Sequence, residues 1–333
     1  MTKLLYMIPL CFILSLSMAL YFVPVMRRAA LKWGVVDKPD GRLKTQQEPV
    51  PYLGGVGIYI GFLLSLGLVF TFSPEVLGLL LAATIMLMIG LVDDFGVLLP
   101  YQKFAGQVLA TFVLVKSGIY IHIAMFPTWV AIALTFFWVI GVINAVNIID
   151  VSDGLSAGVS FIASLVFMVI ALINGKPMIA MIAAALAGSL FGFLIYNFHP
   201  AKIYLGDTGS LFIGLMLGAL AMIGDYTLDN STAYAAPIII LGVPIFDTFF
   251  VMVIRARKGI SMFLGSPDHY AIRLKRHGYG TRTVAILSYV VAALLGGLAI
   301  LNMYLTPVGS TVLLVALAFA SLVSAVLFSR IGN

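Results

Sequence analysis

Five aspartates lie at the ends of long apolar segments, where a membrane protein rarely places acidic side chains. They are Asp93, Asp94, Asp150, Asp153 and Asp207. Ionisable groups next to a bilayer are costly, and those that are present usually serve a function. None of the five has a basic residue beside it in the sequence. Because carboxylates bind hard divalent cations, and such cations bind phosphates, the pattern indicates a metal and a phosphate-bearing substrate.

The first pair, Asp93 and Asp94, ends an apolar segment and is followed by Lys103. Adjacent carboxylates can share one cation, or one can bind the cation while the other takes a proton. A lysine nearby can place a positive charge on a phosphate. An interfacial cap at a helix end explains the pair equally well, so the pair alone does not decide.

Four polar residues, Asn144, Asn147, Asp150 and Asp153, follow one another at a spacing of three. On a helix, residues three apart are neighbours, so the spacing predicts one polar face. Asn147 offers a neutral oxygen ligand, and the aspartates offer charged ones. Helix capping is the alternative, but four such residues in ten exceed what a cap requires.

Asp207 lies in the segment Gly-Asp-Thr-Gly-Ser that begins at Gly206. Glycines allow close approach of the backbone, and the N–H groups that open a helix favour anions such as phosphate. A simple N-cap role for Asp207 is compatible with this interpretation.

The polar segment 255–282 is rich in basic residues. His269 and Arg273 are four residues apart, so they can share a helix face and hold a pyrophosphate. The cations from Arg255 to Lys258 are explained by the usual excess of basic residues in cytoplasmic loops.

The composition predicts an all-α polytopic membrane protein. The chain has 333 residues, of which 62% are hydrophobic and 10% charged, with a mean hydropathy of +1.12. A soluble domain of this length cannot bury so much apolar surface. We expect a single integral-membrane domain, 1–333. Cys11 is the one cysteine, so an internal disulfide is excluded. Basic and aromatic residues do not alternate as in nucleic-acid-binding proteins, and we expect no such partner.

Apolar segments of about 17–25 residues are long enough to span a bilayer. Eleven are expected, near residues 4–25, 54–72, 76–92, 104–121, 124–143, 155–174, 178–197, 208–224, 233–254, 283–303 and 307–329. Pro244 in the ninth span predicts a kink. Asp247 in the same span either lines a polar cleft or meets a donor on a neighbouring helix. A bent ninth span is also a hypothetical groove for a long lipid chain.

The distribution of lysine and arginine predicts the orientation. With the N-terminus outside, 16 of the 19 cations face the cytoplasm, and only Lys3, Lys116 and Lys176 lie outside. This is the asymmetry that the positive-inside rule demands. The acidic clusters and the 255–282 loop then lie together on the cytoplasmic face.

The order of the motifs along the chain, from about Asp37 to His277, resembles that of the polyprenyl-phosphate N-acetylhexosamine-1-phosphate transferases. The resemblance implies transfer of a sugar 1-phosphate from a UDP-sugar to a polyprenyl phosphate, with release of UMP and with Mg²⁺, or Mn²⁺, as cofactor. It also implies a first-loop match at Asp37, Pro39, Arg42, Pro49, Pro51, Gly54 and Gly55.

The motifs and the resemblance together predict the site residues. Catalytic roles are predicted for Asp93, Asp94, Lys103 and His269. Substrate binding is predicted for Asn144, Asp150, Asp153, Arg273 and Gly206. Metal binding is predicted for Asp207, Asn147 and Asp94. The 255–282 loop is expected to recognise the sugar. A one-step transfer and a route through a covalent phospho-aspartate both remain open.

Three departures from the family pattern bear on the substrate. One glycine is missing between Asp150 and Asp153, and Gln46 stands where the family has a histidine. Of the run of three histidines that is common in the late loop, only His269 remains, with His277 further on. The signature of the phospho-N-acetylmuramoyl-pentapeptide translocases is absent. N-acetylglucosamine is therefore the preferred sugar, and another UDP-sugar is the alternative.

The expected partners are a UDP-N-acetylhexosamine, a polyprenyl phosphate and membrane lipid, with a homodimer as a further option. The expected location is the inner (plasma) membrane, with the site facing the cytoplasm, and the expected role is in making a cell-envelope glycan. An ion-coupled transporter is the rival class. Its binding groups belong near the bilayer midplane within an inverted repeat, whereas these aspartates end helices and no repeat is visible.

Overall fold

The computed structural model describes residues 2–37, 49–69, 72–122, 126–224, 226, 233–259 and 267–331. These residues are mostly helical, with one two-residue strand pair. The first seven helices are α1 (Thr2–Trp33), α2 (Gly54–Val69), α3 (Pro74–Asp94), α4 (Pro100–Lys116), α5 (Thr128–Ile148), α6 (Leu155–Ile173) and α7 (Pro177–Asn197). The others are α8 (Gly206–Ile223), α9 (Ala236–Ile240), α10 (Gly242–Lys258), α11 (Tyr270–Arg276), α12 (Thr281–Tyr304) and α13 (Pro307–Arg330).

The all-α polytopic class is confirmed, and a helix lies at each of the eleven predicted positions. Within the described residues, eight helices are long and apolar enough to cross a membrane, or nine if the bent pair α9 and α10 is one span. The other two, α2 and α4, have 16 and 17 residues. The count of eleven spans and the orientation therefore remain predictions.

Helix α1 is longer than its predicted span, because it continues past Arg27 and Arg28 to Trp33. Arginine and lysine are good helix formers, so the charges that end the apolar segment do not end the helix. At 1.5 Å per residue, its 32 residues extend about 48 Å, well beyond a hydrocarbon core of about 30 Å.

The predicted kink in the ninth span is confirmed. Helices α9 and α10 meet at Leu241 with a bend of 72°. Pro244 has no N–H to offer the carbonyl of Ile240 four residues earlier, so the helix cannot continue straight through this point. Asp247 lies just beyond the bend and is fully buried.

Helix α8 lies at the centre of the bundle and is the most buried of the candidate spans. It packs against α3 and α5, while α7 packs against α1 and α6. Between helices in lipid, close packing of small residues supplies much of the attraction, because lipid is as apolar as the side chains. The rigid position of α8 matters because its first turn carries Asp207.

The segment after α1 is tied to the segment before α8. Strands β1 (Val36–Asp37) and β2 (Val50–Pro51) pair antiparallel. The Tyr204 N–H donates to the Pro51 carbonyl at 2.8 Å, and the Gly54 N–H donates back to the Tyr204 carbonyl at 3.1 Å. The predicted first-loop positions Pro39, Arg42 and Gln46 lie outside the described residues.

Candidate active site

Four helix ends meet at one point and bring together side chains that are far apart in the sequence. Asp93 ends α3, Lys103 begins α4, Asn147 ends α5 and Asp207 begins α8. The Lys103 ammonium lies 2.7 Å from the Asp93 carboxylate and 3.2 Å from Oδ1 of Asp207. It also donates to Oδ1 of Asn147 at 3.4 Å. A single ammonium group thus donates to three oxygen acceptors.

Asn147 is positioned by α8. Its Nδ2 group donates to Oδ1 of Asp207 and, at 2.8 Å, to Oγ of Ser210. These two contacts orient the amide so that its oxygen points to Lys103. Ser210 was not predicted, although it belongs to the Gly-Asp-Thr-Gly-Ser motif.

Asp94 has a different set of contacts from Asp93, its neighbour in the chain. Its Oδ1 accepts the Asp207 N–H at 2.7 Å, and its Oδ2 accepts the Thr208 N–H at 3.0 Å and the Thr208 hydroxyl at 2.5 Å. A carboxylate in this place satisfies N–H groups that a helix start leaves without partners. The contacts favour a positioning role for Asp94, and its metal-binding and catalytic roles remain predictions.

Two glycines allow α3 and α8 to approach each other here. Gly206 has φ of +73°, a backbone conformation that glycine adopts freely, and an added Cβ would lie 2.6 Å from Oδ2 of Asp94. At Gly90, an added Cβ would lie 2.4 Å from the Asp207 carbonyl oxygen. The predicted close approach of backbone at Gly206 is confirmed, while its substrate-binding role is untested.

We expect Gly90→Ala to separate α3 from α8 and displace the Asp207 turn. Such overpacking typically costs about 1–3 kcal/mol, so the thermal unfolding midpoint and the activity should both fall. Gly67→Ala is the matched control, since an added Cβ at Gly67 meets no atom within 4 Å. If the two variants had equal unfolding midpoints and equal activity, close contact at Gly90 would not be required for either property.

Asn144 pairs with a partner on α4 that the sequence did not reveal. Its Nδ2 donates to Oε1 of Gln107 at 2.9 Å, and Nε2 of Gln107 donates back to Oδ1 of Asn144 at 3.3 Å. This two-way amide pair joins α4 to α5 one turn from Lys103. Gln107 was detectable in principle, as a lone amide in an otherwise apolar segment.

The single polar helix face expected for Asn144 to Asp153 is wrong in its second half, because α5 ends at Ile148. The loop then turns Asp153 toward another segment, where Oδ2 lies 2.7 Å from Nδ1 of His199 and accepts the Ala201 N–H at 3.1 Å. His199 was missed by the sequence analysis. These contacts occupy one carboxylate oxygen of Asp153, and its substrate-binding role remains a prediction.

Asp150 remains in the loop near the acidic site. Burial raises the pKa of its carboxyl to about 8, and the negative charges of Asp207, Asp94 and Asp153 add to the rise. Burial and neighbouring negative charges both disfavour the ionised form of a carboxyl. Asp150 thus behaves as part of the cluster.

His269 is held by the bent ninth span rather than presented on a helix face. It is the residue that precedes α11, and its Nδ1 lies 2.7 Å from Oδ2 of Asp247. Oδ1 of the same aspartate accepts the Tyr270 N–H at 3.0 Å. Of the two interpretations of Asp247, contact with donors on a neighbouring helix is the one observed. His269 is 4% exposed, and its catalytic role remains a prediction.

Arg273 is buried, with 2% of its surface exposed. Its Nη1 donates to the carbonyls of Phe328 at 3.2 Å and Ile331 at 2.9 Å, at the end of α13. Its Nη2 donates to Oδ1 of Asp268 at 2.8 Å. Cations stabilise the C-terminal carbonyls of helices, so these contacts favour a structural role. The shared pyrophosphate-binding face predicted for His269 and Arg273 is not what the structure presents.

The structure brings together only some of the predicted site residues. The structure brings together Asp93, Asp94, Lys103, Asn147 and Asp207, with Asp150 nearby. It gives other partners to Asn144, Asp153, His269 and Arg273, in the contacts described above.

The chain is similar to known proteins of one family. Residues 76–225 match the model of glycosyl transferase family 4. A Bacillus subtilis (strain 168) protein named "Probable undecaprenyl-phosphate N-acetylglucosaminyl 1-phosphate transferase" is 35% identical over 85% of this chain and 82% of its own. A decaprenyl-phosphate N-acetylglucosaminephosphotransferase of Mycolicibacterium smegmatis (strain ATCC 700084 / mc(2)155) is 31% identical over 88% and 81%. A phospho-N-acetylmuramoyl-pentapeptide-transferase of Shouchella clausii (strain KSM-K16) is 30% identical over 91% and 97%.

The fold and the site define a multi-pass membrane enzyme that transfers phosphoglycosyl groups. The chain belongs to glycosyl transferase family 4, and the resemblance inferred from the motifs is confirmed.

Proposed function

We propose that the protein transfers N-acetylglucosamine 1-phosphate from UDP-N-acetylglucosamine to a polyprenyl phosphate, releasing UMP, at the start of a cell-envelope glycan. The observation that carries the proposal is the Lys103 ammonium between Asp93 and Asp207 at four converging helix ends. Such a site presents both a cation and carboxylates to a phosphate-bearing substrate. The names of the relatives above support the acceptor and the sugar.

A divalent cation fits the donor set at this site. Asp207 and Asp93 offer carboxylates and Asn147 offers an amide oxygen, and the Lys103 ammonium now lies among them. Within the described residues, no three acidic, histidine or cysteine side chains are arranged so that they could hold a metal ion by themselves. Mg²⁺ does not require such a group, because it commonly uses one or two carboxylates together with substrate phosphates and water. Mg²⁺, with Mn²⁺ as the alternative, would offset charge on the pyrophosphate oxygens.

The residues divide the remaining work. An oxygen of the lipid phosphate attacks the β-phosphorus of the donor. A new P–O bond forms there, and the bond from the β-phosphorus to the bridging oxygen breaks, so the electron pair leaves with UMP. Lys103 stabilises negative charge on the phosphate oxygens. Asp93 orients the lipid phosphate. A phosphate monoester with a second pKa near 6 is already largely dianionic at neutral pH, so proton removal by Asp93 contributes little.

Several features support the choice of sugar and location. The late loop lacks the histidine-rich signature of the pentapeptide transferases, which favours N-acetylglucosamine. The excess of cations on one face favours a cytoplasmic site in the inner membrane. Asp247 engages Nδ1 of His269, so contact of His269 with the donor would use Nε2. A homodimer remains a proposal.

The decisive test is UMP release by the purified protein with undecaprenyl phosphate, Mg²⁺ and separate UDP-sugars. The panel includes UDP-N-acetylglucosamine, UDP-N-acetylgalactosamine and UDP-N-acetylmuramoyl-pentapeptide, and omission of the lipid is the control. Lipid-dependent UMP from UDP-N-acetylglucosamine alone is expected. UMP release with another UDP-sugar would show that the transferred sugar is not N-acetylglucosamine. A folded, Mg²⁺-binding protein that releases UMP from none would contradict the transferase and favour the transporter class.

We expect cation binding to strengthen as the pH rises through about 8, because Asp150 in the metal-free protein keeps its proton up to that pH. A divalent cation bound near Asp150 favours the charged form of its carboxyl, so binding should release the proton of Asp150. Mn²⁺ affinity measured by electron paramagnetic resonance from pH 6 to 9 checks this. In Asp150→Asn the slope near pH 8 should flatten, and an unchanged slope would assign the proton to another group.

A further inference from the structure

A second polar site lies on α1, where a groove of about 220 Å³ opens between α1 and the end of α7. Three cations line it: Arg27, Arg28 and Lys202. Its apolar wall is formed by the partly exposed Pro24 and Tyr196, which lie over the buried Val23 and Ile203. The groove therefore combines a positively charged part with a hydrocarbon-like part.

The groove is built by a proline in α1. Pro24 has no N–H for the carbonyl of Leu20, which a regular helix would satisfy. The Tyr196 hydroxyl of α7 donates to this carbonyl at 3.2 Å instead. Pro24 and Tyr196 both line the groove, so the helix irregularity and its compensation shape the wall.

The cations are held close together without acidic partners. Arg27 Nε donates to the Lys202 carbonyl at 2.9 Å, which fastens this arginine to the segment between α7 and α8. In the part of the chain that the structure describes, no carboxylate pairs with Arg27, Arg28 or Lys202. Three like charges around one groove repel each other, and a bound anion would relieve that repulsion.

The place of the groove along α1 indicates what kind of anion it takes. Helix α1 is longer than the hydrocarbon core is thick, and Arg27 and Arg28 begin its polar last turns. The groove thus crosses the boundary between headgroups and acyl chains. A free anion would make no favourable contact with the apolar wall, whereas a phospholipid presents a phosphate and acyl carbons side by side. Basic pockets between membrane helices are known to bind anionic headgroups.

We propose that this groove binds an anionic glycerophospholipid of the surrounding leaflet. Arg27, Arg28 and Lys202 contact its phosphate, and Pro24 and the Tyr196 ring contact the first carbons of its acyl chains. The residues that line the groove are different from those of the candidate active site. The same backbone segment leads from Lys202 to Gly206, so a bound lipid would brace the start of α8.

Native mass spectrometry of the full-length protein in detergent tests the proposal. The probes are phosphatidylglycerol, phosphatidylcholine with the same acyl chains, and inorganic phosphate. The test variant is Arg28→Gln with Lys202→Gln, which leaves Arg27 and its backbone contact in place. The control variant is Arg257→Gln with Arg276→Gln, two exposed cations predicted to lie on the same face but outside the groove.

The expected result is preferential retention of phosphatidylglycerol by the wild type and the control variant, and a fall of about tenfold or more in the test variant. Lys202→Gln alone, at an exposed side chain, should give a smaller fall without loss of thermal stability. If phosphatidylglycerol retention fell equally in the test and control variants, the effect would be due to general surface charge, and the proposal would be overturned. Phosphatidylcholine retained equally well, or inorganic phosphate displacing the lipid at equal concentration, would overturn it also.

Discussion

Replacement of Asp207 by Asn should abolish turnover while leaving the protein folded. We expect a fall in kcat of at least about 10²–10³-fold, the size seen when one electrostatic contact to a developing charge is removed, together with loss of Mn²⁺ binding. The amide keeps the shape of the side chain and its contact with Asn147, but it removes the charge that pairs with Lys103. UMP release and Mn²⁺ titration measure the two effects.

Glu75→Gln is the matched control for Asp207→Asn. Glu75 lies in the first turn of α3, at the opposite end from Asp93, and it is exposed. The same loss of one carboxylate charge there should leave both turnover and Mn²⁺ affinity within about twofold, as is usual for surface substitutions. Retained turnover in the Asp207 variant would refute its assignment as the metal ligand. Loss of turnover in both variants would point to net charge rather than to the site.

Replacement of Arg273 by Lys should destabilise the protein even in the absence of substrate. Lysine keeps the charge, but it cannot reproduce a planar fork that contacts Asp268 and the α13 carbonyls together. Hydrogen bonds to charged groups each contribute about 1.5–3 kcal/mol, so we expect a loss of about 3 kcal/mol in the free energy of unfolding. The unfolding midpoint of the substrate-free protein measures this directly.

The alternative for Arg273 is contact with the donor pyrophosphate, and it predicts a different result. Stability without substrate would then be unchanged, and the KM for the UDP-sugar would rise. Arg276→Lys is the control, because Arg276 belongs to the same short helix and is exposed. A stable Arg273→Lys protein with a raised donor KM would restore the role predicted from the sequence.

The sequence determined the class of protein and the helices. Apolar segments in a bilayer must satisfy their own backbone hydrogen bonds, so each becomes a helix, and a helix was found at every predicted position. The bend of the ninth span also followed from Pro244 alone, since a missing N–H acts on its own helix. The order of the acidic motifs was sufficient to identify the family.

Other features were decided by contacts between segments far apart in the chain. Asp94 and Asp207 are 113 residues apart, and only the packing of α3 against α8 brings the Asp94 carboxylate to the Asp207 N–H. Spacing predicted one continuous polar face ending at Asp153, but the chain leaves the helix at Ile148 and Asp153 turns to His199. Spacing describes neighbours along a helix and cannot say where the helix ends.

The 255–282 loop shows the same difference between sequence and tertiary structure. From the sequence, Arg273 was a cation in a basic segment with a phosphate as its natural partner. Tertiary structure gives it the end of α13 instead, because a buried guanidinium must find acceptors and the last carbonyls of a helix supply them. Residue types thus determined which chemistry the protein can perform, and packing decided which of those residues lie together and which contact other parts of the chain.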